Sequence, residues 1–184
     1  MKALIISLGL LPLLRLVILG YQDDLTANPI EFITRSTGTW ALVFLCITLA
    51  VTPIRRITGI SELLRYRRTF GLLVFFYACL HFSIWFWLDH NWSTSEMIKD
   101  VIKRPFITMG FSAFVLLVPL ALTSNDWAVR KLKRSWSKLH RLVYLIAILV
   151  ILHYFWHKSG KNDFQTVGIY AAIIFSLLAY RLKR

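Results

Sequence analysis

The chain has 184 residues, of which 57% are apolar and 15% aromatic while only 17% are charged, and its mean hydropathy is +0.61. A water-soluble domain carries about 25% charged residues and at most about 50% apolar ones, so there is too little polar surface here for a fold that meets water on every side. The 22 Lys and Arg against 9 Asp and Glu leave a formal charge of +13, which fits nucleic acid, anionic lipid or membrane topology until its positions are known. Cys46 and Cys79 both fall inside apolar runs, which speaks against a disulfide framework, and no C-x-x-C pair is present.

A bilayer core takes about 20 mostly apolar residues per helix. Runs of that kind follow one another at 3–20, 38–54, 68–88, 106–122, 138–157 and 165–180. The expected architecture is an all-α, multi-pass membrane protein with six transmembrane helices in a single domain over 1–184. The first run follows Lys2 in the manner of a signal peptide, but Arg15 interrupts it and no A-x-A-like site comes after, so a retained helix is expected. Pro12 should kink that helix rather than end it, because neighbouring helices can satisfy the freed carbonyl. The linkers hold no Gly-rich phosphate loop and no room for a separate nucleotide-binding domain, and no internal repeat is evident.

The basic residues cluster on one side of these spans. Lys2, Arg55, Arg56, Arg65, Arg67, Arg68, Arg130, Lys131, Lys133, Arg134, Lys138, Arg141, Arg181, Lys183 and Arg184 share a face. The opposite face carries most of the acids, among them Asp23, Asp24, Glu31, Asp89, Glu96, Asp100 and Asp163, beside Arg35, Lys99, Lys103, Arg104, Lys158 and Lys161. The positive-inside rule makes the first face cytoplasmic and puts both termini there. Trp40, Trp85, Trp87, Trp92, Trp127, Trp136 and Trp156 fall near span ends, where indole rings prefer the headgroup level. They read as membrane anchors rather than base-stacking rings on a basic groove, so no nucleic-acid partner is expected.

An ionisable side chain within a span is a functional candidate by default. His81 lies 13 residues beyond Arg68 and His153 lies 15 beyond Lys138, depths of ~20 Å and ~22 Å at 1.5 Å per residue. Two neutral imidazoles at one level, on helices running in the same direction, can ligate a haem iron from opposite faces. Phe75, Phe76, Phe82 and Ile84 near one, and Ile146, Leu149, Val150 and Leu152 near the other, suit an apolar macrocycle. The competing reading is that each histidine bonds a neighbouring helix as a buried polar residue. His153 and His157 also have metal-ligand spacing, but Tyr154 stands where H-E-x-x-H needs its glutamate. His90 and His157 fall near the outer surface and read as interfacial.

His140 lies just inside the inner boundary, and on an ideal helix it points roughly 140° away from His153. Either a second cofactor leans on another helix or the fifth span is distorted. The level of His140 on the third span holds Arg67 and Arg68 and no histidine. His140 therefore stands open between an axial ligand with a weak partner, a propionate donor and an interfacial cation. Tyr77 and Tyr144 are candidate cofactor contacts or simple packing residues. The Arg-rich loops, Arg67 and Arg68 included, serve equally as flavin-phosphate contacts, lipid contacts and topology signals.

The run Arg67-Arg68-Thr69-Phe70-Gly71 leading through Tyr77 to His81 is one of an ordered set of blocks. The others are Lys103-Arg104-Pro105-Phe106-Ile107-Thr108-Met109-Gly110, Leu122-Thr123-Ser124-Asn125, Trp136-Ser137-Lys138-Leu139-His140-Arg141-Leu142-Val143-Tyr144 and His153-Tyr154. In this order they resemble the MsrQ (YedZ) family of the ferric-reductase-like transmembrane group, and the similarity runs over nearly the whole chain. The resemblance implies a multi-pass protein of the bacterial inner membrane that binds haem b, with His81, His140 and His153 as ligands, and FMN. It implies electrons taken from the quinone pool or a cytoplasmic flavin reductase, and given to a periplasmic molybdopterin-containing methionine sulfoxide reductase. Where related members often have glycine between Lys131 and Trp136, this chain reads Leu-Lys-Arg-Ser, which bears on the shape of that cytoplasmic loop and on any flavin contact there.

No nucleophile, base and orienting group stand together in the sequence, so substrate chemistry is assigned to partners. Two alternatives remain: a stand-alone ferric reductase or quinol-oxidising cytochrome b, and a haem-free metal or proton transporter. Arg15 either snorkels to the interface or pairs with a haem propionate at the outer level. In the second case Arg15→Leu should alter haem content or redox potential, and a variant unchanged in both would leave Arg15 a snorkelling residue.

Overall fold

Apolar sequence with few helix breakers gives helix throughout, and among the described residues no strand forms. The computed structural model describes residues 1–159 and 163–182, so Lys161, Lys183 and Arg184 of the charge reading lie outside the described residues. The long helices are α1 (Lys2–Tyr21), α2 (Pro29–Thr58), α3 (Arg67–Ile84), α5 (Pro105–Leu122), α8 (Leu142–Ser159) and α9 (Gln165–Leu182). Between them lie the short α4 (Thr94–Lys103), α6 (Asp126–Leu132) and α7 (Arg134–Leu139), with a 3₁₀ turn at Ser61–Tyr66 and a π-helical turn at Trp85–Asp89.

Five stretches are long and apolar enough to cross a membrane: Lys2–Tyr21, Pro29–Thr58, Ser61–Asp89, Pro105–Leu122 and Arg134–Ser159. The sixth expected span is the apolar stretch Gln165–Arg181, which falls just short of that length within the described residues. The second span runs beyond its expected bounds at both ends, because its flanks, 29–37 and 55–58, are polar enough to escape a hydropathy reading yet continue the helix. The amphipathic α4 carries exposed Ile98 and Ile102, one turn apart, and falls in a stretch where no element was expected.

The chain packs as two compact units, Met1–Thr48 with Glu62–Met97, and Leu49–Ser61 with Ile98–Arg184. In the first, α1 runs through Pro12 without ending, as expected. It lies close on α3 because Gly9 has no Cβ: one built there would meet Leu73 Cδ1 at 2.6 Å. The Tyr77 hydroxyl donates to Gly9 O at 2.8 Å, and its buried ring stacks on Phe44 at 5.5 Å. Tyr77 thus ties α1 to α3, which is the packing alternative for this residue.

In the second unit α5 and α8 form the most extensive helix pair, with Ala113 and Ala147 both buried and small enough to let backbones approach. Pro105 opens α5 at its first turn, where a missing N–H costs nothing. Asn125 joins α5 to α6: its Nδ2 donates to Leu122 O at 2.9 Å and its Oδ1 caps Ala128 N at 2.8 Å. Lys133 then takes a left-handed φ of 47° and separates α6 from α7. This is a conformation that favours glycine. A turn at His140 and Arg141 breaks α7 from α8, so the fifth span is distorted at His140, the second of the two alternatives.

Pro53 has no N–H to offer the Leu49 carbonyl four residues back. That carbonyl, on a residue with no exposed surface, instead accepts from Arg181 Nη2 of α9 at 2.7 Å. The Arg181 guanidinium also lies 5.9 Å from the centroid of the Tyr144 ring. Arg181→Leu should lower stability by about 1.5–3 kcal/mol, the worth of a charged hydrogen bond. Pro53→Ala restores an intrahelical donor to Leu49 O, so the double variant should recover most of that loss. Denaturant unfolding in detergent checks this, and strictly additive losses would show that the proline and the arginine are not coupled.

Candidate functional site

In the first unit α3 presents His81 to α2. Its Nδ1 lies 2.9 Å from the carbonyl oxygen of Thr34. A carbonyl can only accept, so Nδ1 carries the hydrogen and the lone pair of the neutral ring resides on Nε2. The approach depends on Gly38, one turn further along α2. A Cβ there would lie 3.0 Å from His81 Cε1 and 3.1 Å from Nδ1, tighter than side-chain packing normally allows.

The second unit repeats this arrangement with different helices. His153 of α8 sets Nδ1 2.6 Å from Phe106 O of α5, and a Cβ on Gly110 would lie 2.7 Å from Nδ1 and 2.9 Å from Cε1. In each case the histidine follows the accepting residue by 47 positions and the glycine follows it by four. A ring N–H committed to a carbonyl with the other nitrogen as donor is the usual setting of a metal-ligating imidazole. The donor set of both histidines therefore fits an iron ligand.

His140 is held the other way round. Its Nε2 lies 3.0 Å from Thr123 Oγ1, and that hydroxyl donates its own hydrogen to Pro119 O at 2.6 Å. Thr123 must then accept, so the His140 hydrogen sits on Nε2 and the lone pair of the neutral ring on Nδ1. Trp136 stacks on the imidazole at 3.9 Å, 23° from parallel, and its Nε1 donates to Thr123 O at 2.9 Å. The end of α5 and the α7 turn are thereby knotted together.

The other expected site residues lie at the periphery. Arg15 is on the exposed side of α1, and Arg67 and Arg68 are exposed in the first turn of α3, on the same helix as His81. His90 meets Trp85 edge-on at 4.7 Å, and the His157 ring lies 5.9 Å from that of Phe106. Both join aromatic packing. Phe82, next to His81, begins a run of ring contacts through Trp85, Phe86 and Trp92 at the C-terminal end of α3. Among the described residues no three His, Cys, Asp or Glu side chains gather to hold a bare metal ion. Sequence reasoning missed Gly38, Gly110, Thr123 and Arg181. For the two glycines a signal existed in their equal distance along the chain from a histidine within a span.

Residues 37–151 match the family model described as ferric reductase like transmembrane component. The chain is 58% identical over 176 residues to the protein-methionine-sulfoxide reductase heme-binding subunit MsrQ of Ralstonia nicotianae, covering 95% of this chain and 81% of that one. Proteins of the same name from Herminiimonas arsenicoxydans and Bordetella pertussis are 54% and 52% identical over 182 and 181 residues. Each alignment takes in 98% of this chain, and 84% and 88% of those relatives. No solved structure matches.

Thr123→Val removes the acceptor of His140 Nε2–H, and a buried donor deprived of its partner costs about 1–3 kcal/mol. Thermal unfolding in detergent should show that loss, while Thr123→Ser should stay near the parent. Equal stability of the valine variant would mean that the hydroxyl does not hold His140.

Proposed function

The chain belongs to the ferric-reductase-like transmembrane family, within its MsrQ group of haem-binding subunits, and on that premise we propose that it is the haem-binding membrane subunit carrying electrons to a protein-methionine-sulfoxide reductase. The observation that carries the reading is the matched setting of His81 and His153, each with Nδ1–H on a backbone carbonyl and a lone pair on Nε2. His81 and His153 would be the residues that hold the iron of a b-type haem, an assignment that rests on the equal depth expected for them from the sequence. Haem held in this way supplies a one-electron couple whose potential follows its axial ligands, their hydrogen bonds and burial. The chain's own work is to fix the ligand rings and exclude water.

Further parts of the proposal concern the surroundings. The protein sits in the bacterial inner membrane with six crossings and both termini cytoplasmic, supported by the basic residues collected on one face. Its donor is the quinone pool or a cytoplasmic flavin reductase, and its acceptor a periplasmic molybdopterin-containing reductase subunit. Arg67 and Arg68, exposed in the first turn of α3, would contact the phosphate of FMN. Arg15 pairs with a haem propionate. His140 is a cofactor contact oriented by Thr123 and Trp136, and ligation through Nε2 would require it to give up the Thr123 bond. The ferric-reductase description of the family supports one alternative acceptor, an iron chelate. Comparing chelate and sulfoxide reductase as oxidants of the reduced protein separates the two.

The purified protein should show a Soret band and a reducible α band, and His81→Ala or His153→Ala should each remove the haem they hold. A full spectrum surviving both substitutions would refute the ligand assignment. Absence of any Soret band after haem supplementation would sink the haem reading as a whole.

A further inference from the structure

The settings of His81 and His153 are one device used twice. On α2, Thr34 O and Gly38 lie one turn apart on the face that receives His81; on α5, Phe106 O and Gly110 do the same for His153. The accepting residues differ, threonine in one and phenylalanine in the other, because only their backbone oxygen is used. What the two helix pairs share is the glycine, the histidine and the spacing.

We infer that Gly38 and Gly110 are positioning residues that set the direction and donor strength of the His81 and His153 Nε2 atoms, by leaving room for the ring to reach the carbonyl one turn earlier. The inference rests on the ligand reading above. Other glycines of the chain differ: a Cβ on Gly168 would meet nothing within 4 Å, and one on Gly71 would only touch Thr48 at 4.0 Å. Gly9 is as crowded, but its neighbour is the end of a leucine side chain, Leu73 Cδ1 at 2.6 Å, which can rotate aside. An imidazole bonded at Nδ1 cannot move without stretching that bond. A methyl group added at Gly110 would press on His153 Nδ1 itself from 2.7 Å, whereas one added at Gly38 would sit 3.0 Å from His81 Cε1, so Gly110 tolerates less than Gly38.

The consequence for chemistry follows from the hydrogen bond. An imidazole that donates Nδ1–H to a carbonyl is a stronger base at Nε2, and a stronger donor favours the ferric state. Weakening the bond therefore moves the potential upward. Glycine is a poor helix former and alanine the best, so alanine at either position would favour the helix on propensity alone. Any loss then comes from the displaced ring.

The test is a redox titration of the haem-loaded protein with Gly110→Ala, Gly38→Ala and, as control, Gly168→Ala. Gly110→Ala should shift the ferric-to-ferrous ratio at fixed potential about tenfold toward ferrous, ~59 mV for one electron. Gly38→Ala should shift it less, and Gly168→Ala should match the parent. Histidine-selective ¹⁵N spectra of the haem-free protein supply a second reading that needs neither loaded haem nor activity. His81 and His153 should carry hydrogen-bonded Nδ1–H in the parent, and His153 should lose that signature in Gly110→Ala. Parent potentials in both alanine variants, or an unprotonated Nδ1 in the parent, would overturn the inference. If instead the haem spectrum survives loss of both histidines while the ¹⁵N signature responds to Gly110→Ala, the ligand reading fails and the packing device stands.

Discussion

A bilayer core offers no water, so every polar side chain within it must find its partner inside the protein. In this chain the partner is repeatedly a backbone carbonyl of another helix. Tyr77 donates to Gly9 O, His81 to Thr34 O, His153 to Phe106 O and Arg181 to Leu49 O. These bonds do more than satisfy donors. A carbonyl on a rigid helix is fixed in place by its own helix, so a side chain that ends on one is fixed in direction as well. Tyr77 and Arg181 use this to hold α1 on α3 and α9 on α2, and for the histidines it decides which nitrogen keeps its lone pair.

That decision separates the three intramembrane histidines more sharply than their depth does. His81 and His153 give their hydrogen to carbonyls through Nδ1, which leaves the lone pair of the neutral ring on Nε2. His140 meets a hydroxyl through Nε2 instead, and the hydroxyl has already committed its hydrogen to Pro119 O. The same residue type therefore keeps its lone pair on Nε2 in two places and is tied through Nε2 in the third. Trp136, stacked on the ring and bonded to Thr123 O, reinforces the tie from the other side.

Much of this was legible in the sequence. Apolar runs located the long helices because burial in lipid demands a continuous apolar surface, and they fell short where polar residues extend a helix, as at the ends of α2, and where the amphipathic α4 forms. The equal depth expected for His81 and His153 rests on helix rise alone. The angle between His140 and His153 foretold trouble in the fifth span, and the chain breaks its helix at His140 and Arg141. The pairing of Arg181 with Leu49 O could not be read, since it depends on how far α9 lies from α2 along the chain. Nor could Tyr77 be assigned: a buried tyrosine needs an acceptor, but nothing in the chain names Gly9 O as the acceptor.

The absence of a visible repeat has a physical reason. A device built on a backbone carbonyl leaves the accepting side chain free to vary, so Thr34 and Phe106 can occupy equivalent places without any likeness. Only two positions of each copy are constrained: the histidine, by its chemistry, and the glycine, by the ring that fills the space of its missing Cβ. Two residues in a span of nearly fifty do not stand out as self-similarity. Their equal spacing gains meaning only once the carbonyl between them is seen, because the carbonyl makes the glycine necessary and gives the histidine its direction.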